Sequence, residues 1–233
     1  MTRELLIFGA YSALGKGVTS SLLNKNYSKI FLFDRHIAPE PVGGAKVENI
    51  TLGDLSKEEE VKKAFAHLTP SKEKYFFLFS TIGGFIGGKP IADIAVEEWD
   101  KMFDINLKTN FLIAKYFSNL VKNSGGGSVC FTSAITALKQ APNRGAYDSS
   151  KSALISMVKT LALEGRGFNL SANAVAPYII DTPANREWMP DSDFRKWIKP
   201  EEIGNLADWI FSNFNIMTGN VVELVNRFEK ESY

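Results

Sequence analysis

Leu5-Leu6-Ile7-Phe8-Gly9-Ala10-Tyr11-Ser12-Ala13-Leu14-Gly15 carries four consecutive apolar residues straight into a glycine-bearing turn. A strand that is apolar at every position is buried on both faces, the condition found inside a parallel sheet. A helical pattern follows from about Gly17 to Lys25. In such a strand–turn–helix unit, the turn's backbone N–H groups and the helix N-terminus can meet a pyrophosphate, with glycines where a side chain would collide. Taken alone, the turn is equally a tight connection.

The same alternation continues along the chain. Ile30–Phe33, Val47–Leu52, Phe76–Phe79, Ser128–Thr132, Ala172–Ala176 and Val221–Val225 read as six further strands. Between them lie longer segments of helical period. Ser56 with Glu59 reads as a capping box opening a helix to about Leu68. A glycine-rich loop, Gly83 to Gly88, leads to a long helix from about Val96 to Lys122. Gly125-Gly126-Gly127 reads as a turn. A helix carrying Tyr147 runs to about Glu164, an irregular stretch spans Pro177 to Pro200, and a last helix covers about Glu201 to Ser212. Apolar strands separated by helices predict an α/β fold: one Rossmann-like, doubly wound parallel sheet of about seven strands flanked by helices. No linker or repeat divides residues 1–233, so a single dinucleotide-binding and catalytic domain is expected.

Composition bounds the function. The 233 residues are 45% hydrophobic and 23% charged, with a net charge of +1, and no long run of like charge is present. That balance points away from nucleic acid and from acidic membrane surfaces. The single cysteine, Cys130, excludes an intrachain disulfide and suits a reducing compartment. Met1-Thr2-Arg3-Glu4 enters a strand directly, and no apolar run approaches the ~20 residues of a membrane span, so no signal peptide and a cytoplasmic location are expected. His36 and His67 belong to no motif, and no metal site is expected.

Ser133 leaves the fifth strand fourteen residues before Tyr147, and Lys151 follows Tyr147 by four. Residues four apart share one helix face. A tyrosine titrates near pH ~10, and a cation held beside it favours the phenolate, which makes the phenol usable as an acid or base. The Ser133 hydroxyl can then hold a reacting oxygen. An isolated Tyr-x-x-x-Lys is as well a surface tyrosine beside a solvated lysine. Its weight comes from the rest of the chain.

The combination resembles the short-chain dehydrogenase/reductase family, whose centre is Ser-Tyr-x-x-x-Lys and whose turn is Gly-x-x-x-Gly-x-Gly. Gly9 and Gly15 match the outer glycines, while Ala13 stands at the middle one. The resemblance implies that Tyr11, Ser12 and Leu14 line the cofactor turn as well. Asp34 ends the second strand, nineteen residues beyond Gly15, where a carboxylate accepts hydrogen bonds from the adenosine ribose. A carboxylate there repels a 2′-phosphate, so NAD(H) is favoured. Arg35 follows and can accommodate a phosphate, which keeps NADP(H) as the second choice. Asp54 and Leu55 resemble the family's adenine-contacting position. Asn106 resembles its fourth catalytic residue, whose side chain distorts the helix and whose carbonyl holds a water. Asn173 to Thr182 resembles the stretch beside the nicotinamide, with Pro177, Ile180 and Thr182 at cofactor positions and Tyr178 in place of a glycine. Ser80-Thr81-Ile82-Gly83-Gly84 replaces the family's Asn-Asn-Ala-Gly.

The segment Asp181 to Pro190, with Asp193, Phe194 and Trp197, is similar to the substrate side of dihydropteridine reductases, as is Gly83 to Gly88. Those enzymes use NADH and typically lack the serine that this chain keeps as Ser133. The resemblance implies an oxidoreductase moving a hydride to or from a small carbonyl, alcohol or pterin-like substrate. Tyr147 would be its acid/base, Lys151 would lower the Tyr147 pKa, and Ser133 would orient the substrate. A lid of about residues 183–198 bearing Trp188, Phe194 and Trp197 is expected, with Phe85, Tyr178 and Trp188 facing the substrate. A cofactor-sensing or scaffold protein on the same fold is the alternative. Phe111, Tyr116, Phe117, Leu154, Met157 and Leu161 give the two central helices more apolar surface than one sheet face needs. The family resemblance implies pairing to a homodimer or homotetramer. Simple burial accounts for those residues equally well.

Overall fold

The computed structural model describes residues 1–38 and 40–228. Its seven strands form one parallel sheet in the order β3-β2-β1-β4-β5-β6-β7. They are β1 (Thr2–Phe8), β2 (Lys29–Asp34), β3 (Val47–Thr51), β4 (Lys74–Ser80), β5 (Gly126–Thr132), β6 (Leu170–Pro177) and β7 (Val221–Leu224). The helices are α1 (Ala13–Leu22), α2 (Glu58–Ala66), α3 (Val96–Phe103), α4 (Thr109–Lys122), α5 (Gly145–Gly165), α6 (Pro183–Trp188) and α7 (Pro200–Ser212).

Two apolar layers explain why the central strands lack polar alternation. Leu6, Phe8, Phe31, Phe33, Phe76, Leu78, Val129 and Phe131 join α2, α4 and α5 in one core. Their strand neighbours Leu5, Ile7, Ile30, Leu32, Phe77, Phe79 and Cys130 join α1 and α7 in the other. Successive side chains take opposite faces, so both sets must be apolar. Phe8 stacks on Phe33 with ring centroids 4.5 Å apart, fixing the strand that feeds the glycine turn. The strand order reverses between β1 and β4, which opens a crevice at the C-terminal ends of the strands.

Local chemistry moves several expected boundaries. Ser12 caps α1, its Oγ accepting from Gly15 N at 2.9 Å, so that helix starts at Ala13 and not at Gly17. The Ser56–Glu59 capping box does not form. Lys57 is the N-cap of α2, and Glu60 reaches back instead, accepting from Gly53 N at 2.8 Å. Gly126 and Gly127 belong to β5 because they pair with Tyr75 and Phe76. Pairing overrides the weak strand preference of glycine. The expected long helix is interrupted between α3 and α4 by a π-helical turn, Asp104–Lys108. The stretch read as irregular contains α6, capped by Thr182. Among the described residues no helix is long and apolar enough to cross a membrane.

Candidate active site

The crevice holds a cavity of about 350 Å³ lined by Ser133, Tyr147 and Lys151, with Gly83, Pro177 and Ile180 among its walls. Ser133 follows β5, where its N–H donates to Val175 O at 2.8 Å and its Oγ to Lys151 O at 3.1 Å. Tyr147 and Lys151 stand one turn apart near the start of α5. Lys151 is 3% exposed, and its Nζ donates to Thr132 O at 2.8 Å. Tyr147 packs edge-on against Phe85, with centroids 4.9 Å apart. Among the described residues no group hydrogen-bonds to the Tyr147 hydroxyl.

Burial sets the proton affinities. It pushes the Tyr147 phenol up to about 12, helped by the charge of Asp148 and opposed by that of Arg144. It pushes the Lys151 ammonium down to about 7. The sequence predicts that Lys151 lowers the Tyr147 pKa; in the structure desolvation outweighs any such effect, and the opposing cation is Arg144.

Asn106 is fully buried in the π-helical turn. Its Oδ1 accepts from Gly84 N at 2.9 Å, and its Nδ2 donates to Gly84 O and to Ser150 Oγ, both at 3.0 Å. The predicted distortion of the helix at Asn106 is therefore present. Its carbonyl, expected to hold a water, accepts from Asn110 Nδ2 at 2.9 Å. Asn110 also accepts from Ser80 Oγ at 2.7 Å, tying β4 to the π turn. Gly83 lies against this network: a Cβ there would come within 2.6 Å of Lys151 Nζ and 3.0 Å of Asn106 Oδ1. That close approach requires glycine in the segment that replaces Asn-Asn-Ala-Gly.

The turn after β1 is too tight for side chains at its outer glycines. Gly9 has φ +77°, and a Cβ on Gly15 would fall 1.9 Å from Gly9 O. Ala13, in place of the middle glycine, sits exposed in the first turn of α1 with negative φ, as its side chain requires. Leu14 packs into the α1–α7 core, and Leu55 into the opposite one. Asp34 ends β2, its Oδ2 accepting from Tyr11 N at 2.8 Å. Arg35 pairs with Asp54 at 3.3 Å, and Asp54 also accepts from Ser56 N at 3.0 Å, which holds its carboxyl below the usual range. These residues fit a dinucleotide lying across the crevice, with its adenosine toward Asp34.

The remaining predicted residues divide. Phe85, Tyr178 and Trp188 line the cavity. Thr182 does not; its Oγ1 accepts from Asn185 N at 3.3 Å as the cap of α6. The Ile180 carbonyl accepts from Asn185 Nδ2 at 2.8 Å. Trp197, expected on the lid, is 2% exposed and packs against Phe194. Sequence reading missed Asn110, one turn beyond Asn106, and Arg144, three residues before Tyr147. Both spacings, i+4 and i−3, place the residue on the face of a residue already singled out.

A family model described as enoyl-(acyl carrier protein) reductase matches residues 34–224. The chain is 28% identical over 212 residues to the dihydropteridine reductase of Dictyostelium discoideum, spanning 90% of this chain and 88% of that protein. It is 27% identical over 227 residues to an NAD-dependent glycerol dehydrogenase of Listeria innocua, with 92% and 89% covered. The solved structure of ElxO with NADP bound has the same fold, with a TM-score of 0.81 at 20% identity, covering 96% of this chain and 97% of that one. Fold, glycine turn and family match together give the class of protein, an oxidoreductase of a family that binds nicotinamide dinucleotides. The chain belongs to the short-chain dehydrogenase/reductase family.

Proposed function

We propose that this protein is an NAD(H)-dependent reductase or dehydrogenase acting on a small carbonyl, alcohol or pterin-like compound, with Tyr147 as its acid/base. The observation that carries the reading is the convergence of Ser133, Tyr147 and Lys151 on one cavity walled by Gly83, Pro177 and Ile180. When bound, the nicotinamide dinucleotide supplies or accepts the hydride. The protein does the rest. The Ser133 hydroxyl, turning its one proton from Lys151 O, donates to the substrate oxygen and orients it. Tyr147, a neutral phenol at pH 7, gives its proton to that oxygen as the carbon is reduced, and an alcohol results. Lys151, poised near neutrality by burial, stands one turn away to support the phenolate left behind. Of residues 183–198, Asn185, Trp188 and Met189 form part of the cavity wall and would serve as the lid. Reduced-cofactor oxidation with a dihydropterin and with a panel of small aldehydes and ketones tests the assignment. Cofactor binding without turnover of any of them would favour the sensing alternative.

The cofactor preference rests on charge. Asp34 presents a carboxylate at the end of β2, and Arg35 is engaged by Asp54, which leaves it less free to meet a phosphate. Like-charge juxtaposition costs several kcal/mol when desolvated, so kcat/KM for NADH is expected to exceed that for NADPH by at least ~10-fold. Asp34→Asn should narrow the gap. An equal or reversed preference in the native protein would overturn this choice.

Homodimer or homotetramer formation is proposed on a smaller set of residues than the sequence suggests. Phe117, Leu154 and Leu161 pack into the protein's own core. Phe111 on α4 and Leu163 on α5 remain exposed at 49% and 67%. Light scattering at micromolar concentration should show a dimer or tetramer, and Phe111→Glu should shift it toward monomer. A monomeric native protein would exclude the pairing.

A further inference from the structure

Arg144 lines the same cavity as Lys151, and among the described residues no carboxylate pairs with it. The cavity lining includes two cations, Arg144 and Lys151, and no carboxylate. Lys151 is committed to Thr132 O and to the tyrosine's face of α5. The nearby arginines of the 181–198 segment, Arg186 and Arg195, pair with Asp181 and Asp193. Among the described residues Arg144 has no such partner. Asp148, one helical turn further on, is the natural candidate at i+4. It turns instead to Ala141 N, with which Oδ2 bonds at 3.2 Å, while its buried Oδ1 meets nothing. The charge of Arg144 is therefore left for the cavity.

Its position is built. Asn143 adopts a left-handed φ of +64°, which turns the chain just before α5, and its carbonyl accepts from Gly88 N at 2.8 Å. That bond clamps the loop bearing Phe85 against the start of α5. The Arg144 guanidinium then lies 5.6 Å from the Phe85 ring centroid and 5.9 Å from that of Trp188, the two rings being 5.7 Å apart. Cation–π attraction to the two rings holds the guanidinium at the cavity wall, and a guanidinium can grip a carboxylate there through two parallel hydrogen bonds.

We propose that Arg144 is the specificity residue of this site and that the substrate is a small carbonyl compound bearing a carboxylate. The carboxylate sits on Arg144 beside Phe85 and Trp188, and the carbonyl reaches Tyr147 in the first turn of α5. The inference rests on the reading of Tyr147 as the acid/base, and it narrows the substrate to a negatively charged class. Arg144 also bears on the Tyr147 phenol, so replacing it changes turnover of every substrate. The decisive quantity is therefore the ratio between a charged and a neutral substrate of one shape.

The test compares 4-formylbenzoate with 4-formylbenzamide on the NADH-loaded protein at low salt. A charge-assisted bidentate contact predicts that kcat/KM for the acid exceeds that for the amide by roughly 10- to 100-fold. Arg144→Gln should bring the ratio to within about threefold of unity, and Arg144→Lys should keep part of it. Thermal melting of each variant controls for folding. Calorimetric binding of both compounds to Tyr147→Phe, with and without Arg144→Gln, separates the two readings. Acid-selective binding that Arg144→Gln removes, with no turnover in the native protein, upholds the anion site and sinks the proposed chemistry. A ratio unmoved by Arg144→Gln, an amide that matches the acid in the native protein, or no binding of the acid at millimolar concentration overturns the inference.

Discussion

Tyr147→Phe is expected to lower turnover by roughly 10²- to 10⁴-fold, the range that a positioned general acid contributes. The variant isolates chemistry from architecture. No hydrogen bond among the described residues engages the hydroxyl, so removing it orphans no partner. The ring stays against Phe85, and Lys151 Nζ keeps its bond to Thr132 O. The melting temperature should move by no more than ~2 °C, and NADH affinity should be nearly unchanged. A variant retaining more than a tenth of native activity would remove Tyr147 from the mechanism.

The direction of the pH dependence follows from the same residue. With the phenol pushed up to about 12, Tyr147 is protonated throughout the neutral range. Carbonyl reduction consumes that proton, so its rate should be nearly level from pH 7 to pH 10 as far as Tyr147 is concerned. Alcohol oxidation needs the phenolate, whose population rises about tenfold per pH unit below the pKa, so that rate should climb across the same interval. Lys151, pushed down to about 7, loses its charge at the lower edge of this window and ceases to favour the phenolate there. Parallel pH profiles of the two directions with one carbonyl/alcohol pair check the sign. Oxidation that peaks near neutrality would show that another group is the base.

What the sequence made legible was the part encoded by short-range pattern. Apolar runs broken by turn residues mark the five central strands and their burial, because a two-sided core tolerates no polar position on Leu5–Phe8 or Phe76–Phe79. The edge strands β3 and β7, by contrast, carry polar residues and are only partly buried. The spacing of Ser133, Tyr147 and Lys151 located the cavity, because helical geometry puts i and i+4 on one face. Contacts between distant segments were not legible. Glu60 displaced Glu59 as the acid reaching back at α2 because Gly53, seven residues upstream, offered the N–H. Thr182 went to capping α6, a helix too short for periodicity to reveal. Trp197 was drawn into the core beside Phe194, although the lid and the core make the same demand for aromatic residues. Arg144 was overlooked for a similar reason. A lone arginine before a helix looks like solvated surface until Phe85, fifty-nine residues upstream, is seen beneath it.

Asn106→Ala is expected to be the most damaging single change to the framework of the site. Its side chain makes four hydrogen bonds in a fully buried position, two to the N–H and carbonyl of Gly84, one to Ser150 Oγ and a long one to Met102 Sδ. Truncation leaves the part-buried N–H and carbonyl of Gly84 without that partner, while Ser150 Oγ still donates to Tyr147 O, and an orphaned buried group costs about 1–3 kcal/mol. A total of roughly 2–4 kcal/mol is therefore expected, which for a chain of this size lowers the melting temperature by on the order of 10 °C. The loss does not stay local. Gly83, next to Gly84, is packed against both Lys151 Nζ and Asn106 Oδ1, so freeing the loop releases the wall that holds the lysine. Turnover should fall with stability, and more steeply than in a core variant of equal stability such as one at Val158. Asn106→Asp separates the contributions. It keeps the acceptor for Gly84 N but cannot donate to Gly84 O or Ser150, and it brings a buried charge near Lys151. If Asn106→Ala melts within ~2 °C of the native protein, the π-helical turn is held by Asn110 and Ser80 alone, and Asn106 is dispensable to the wall that supports Lys151.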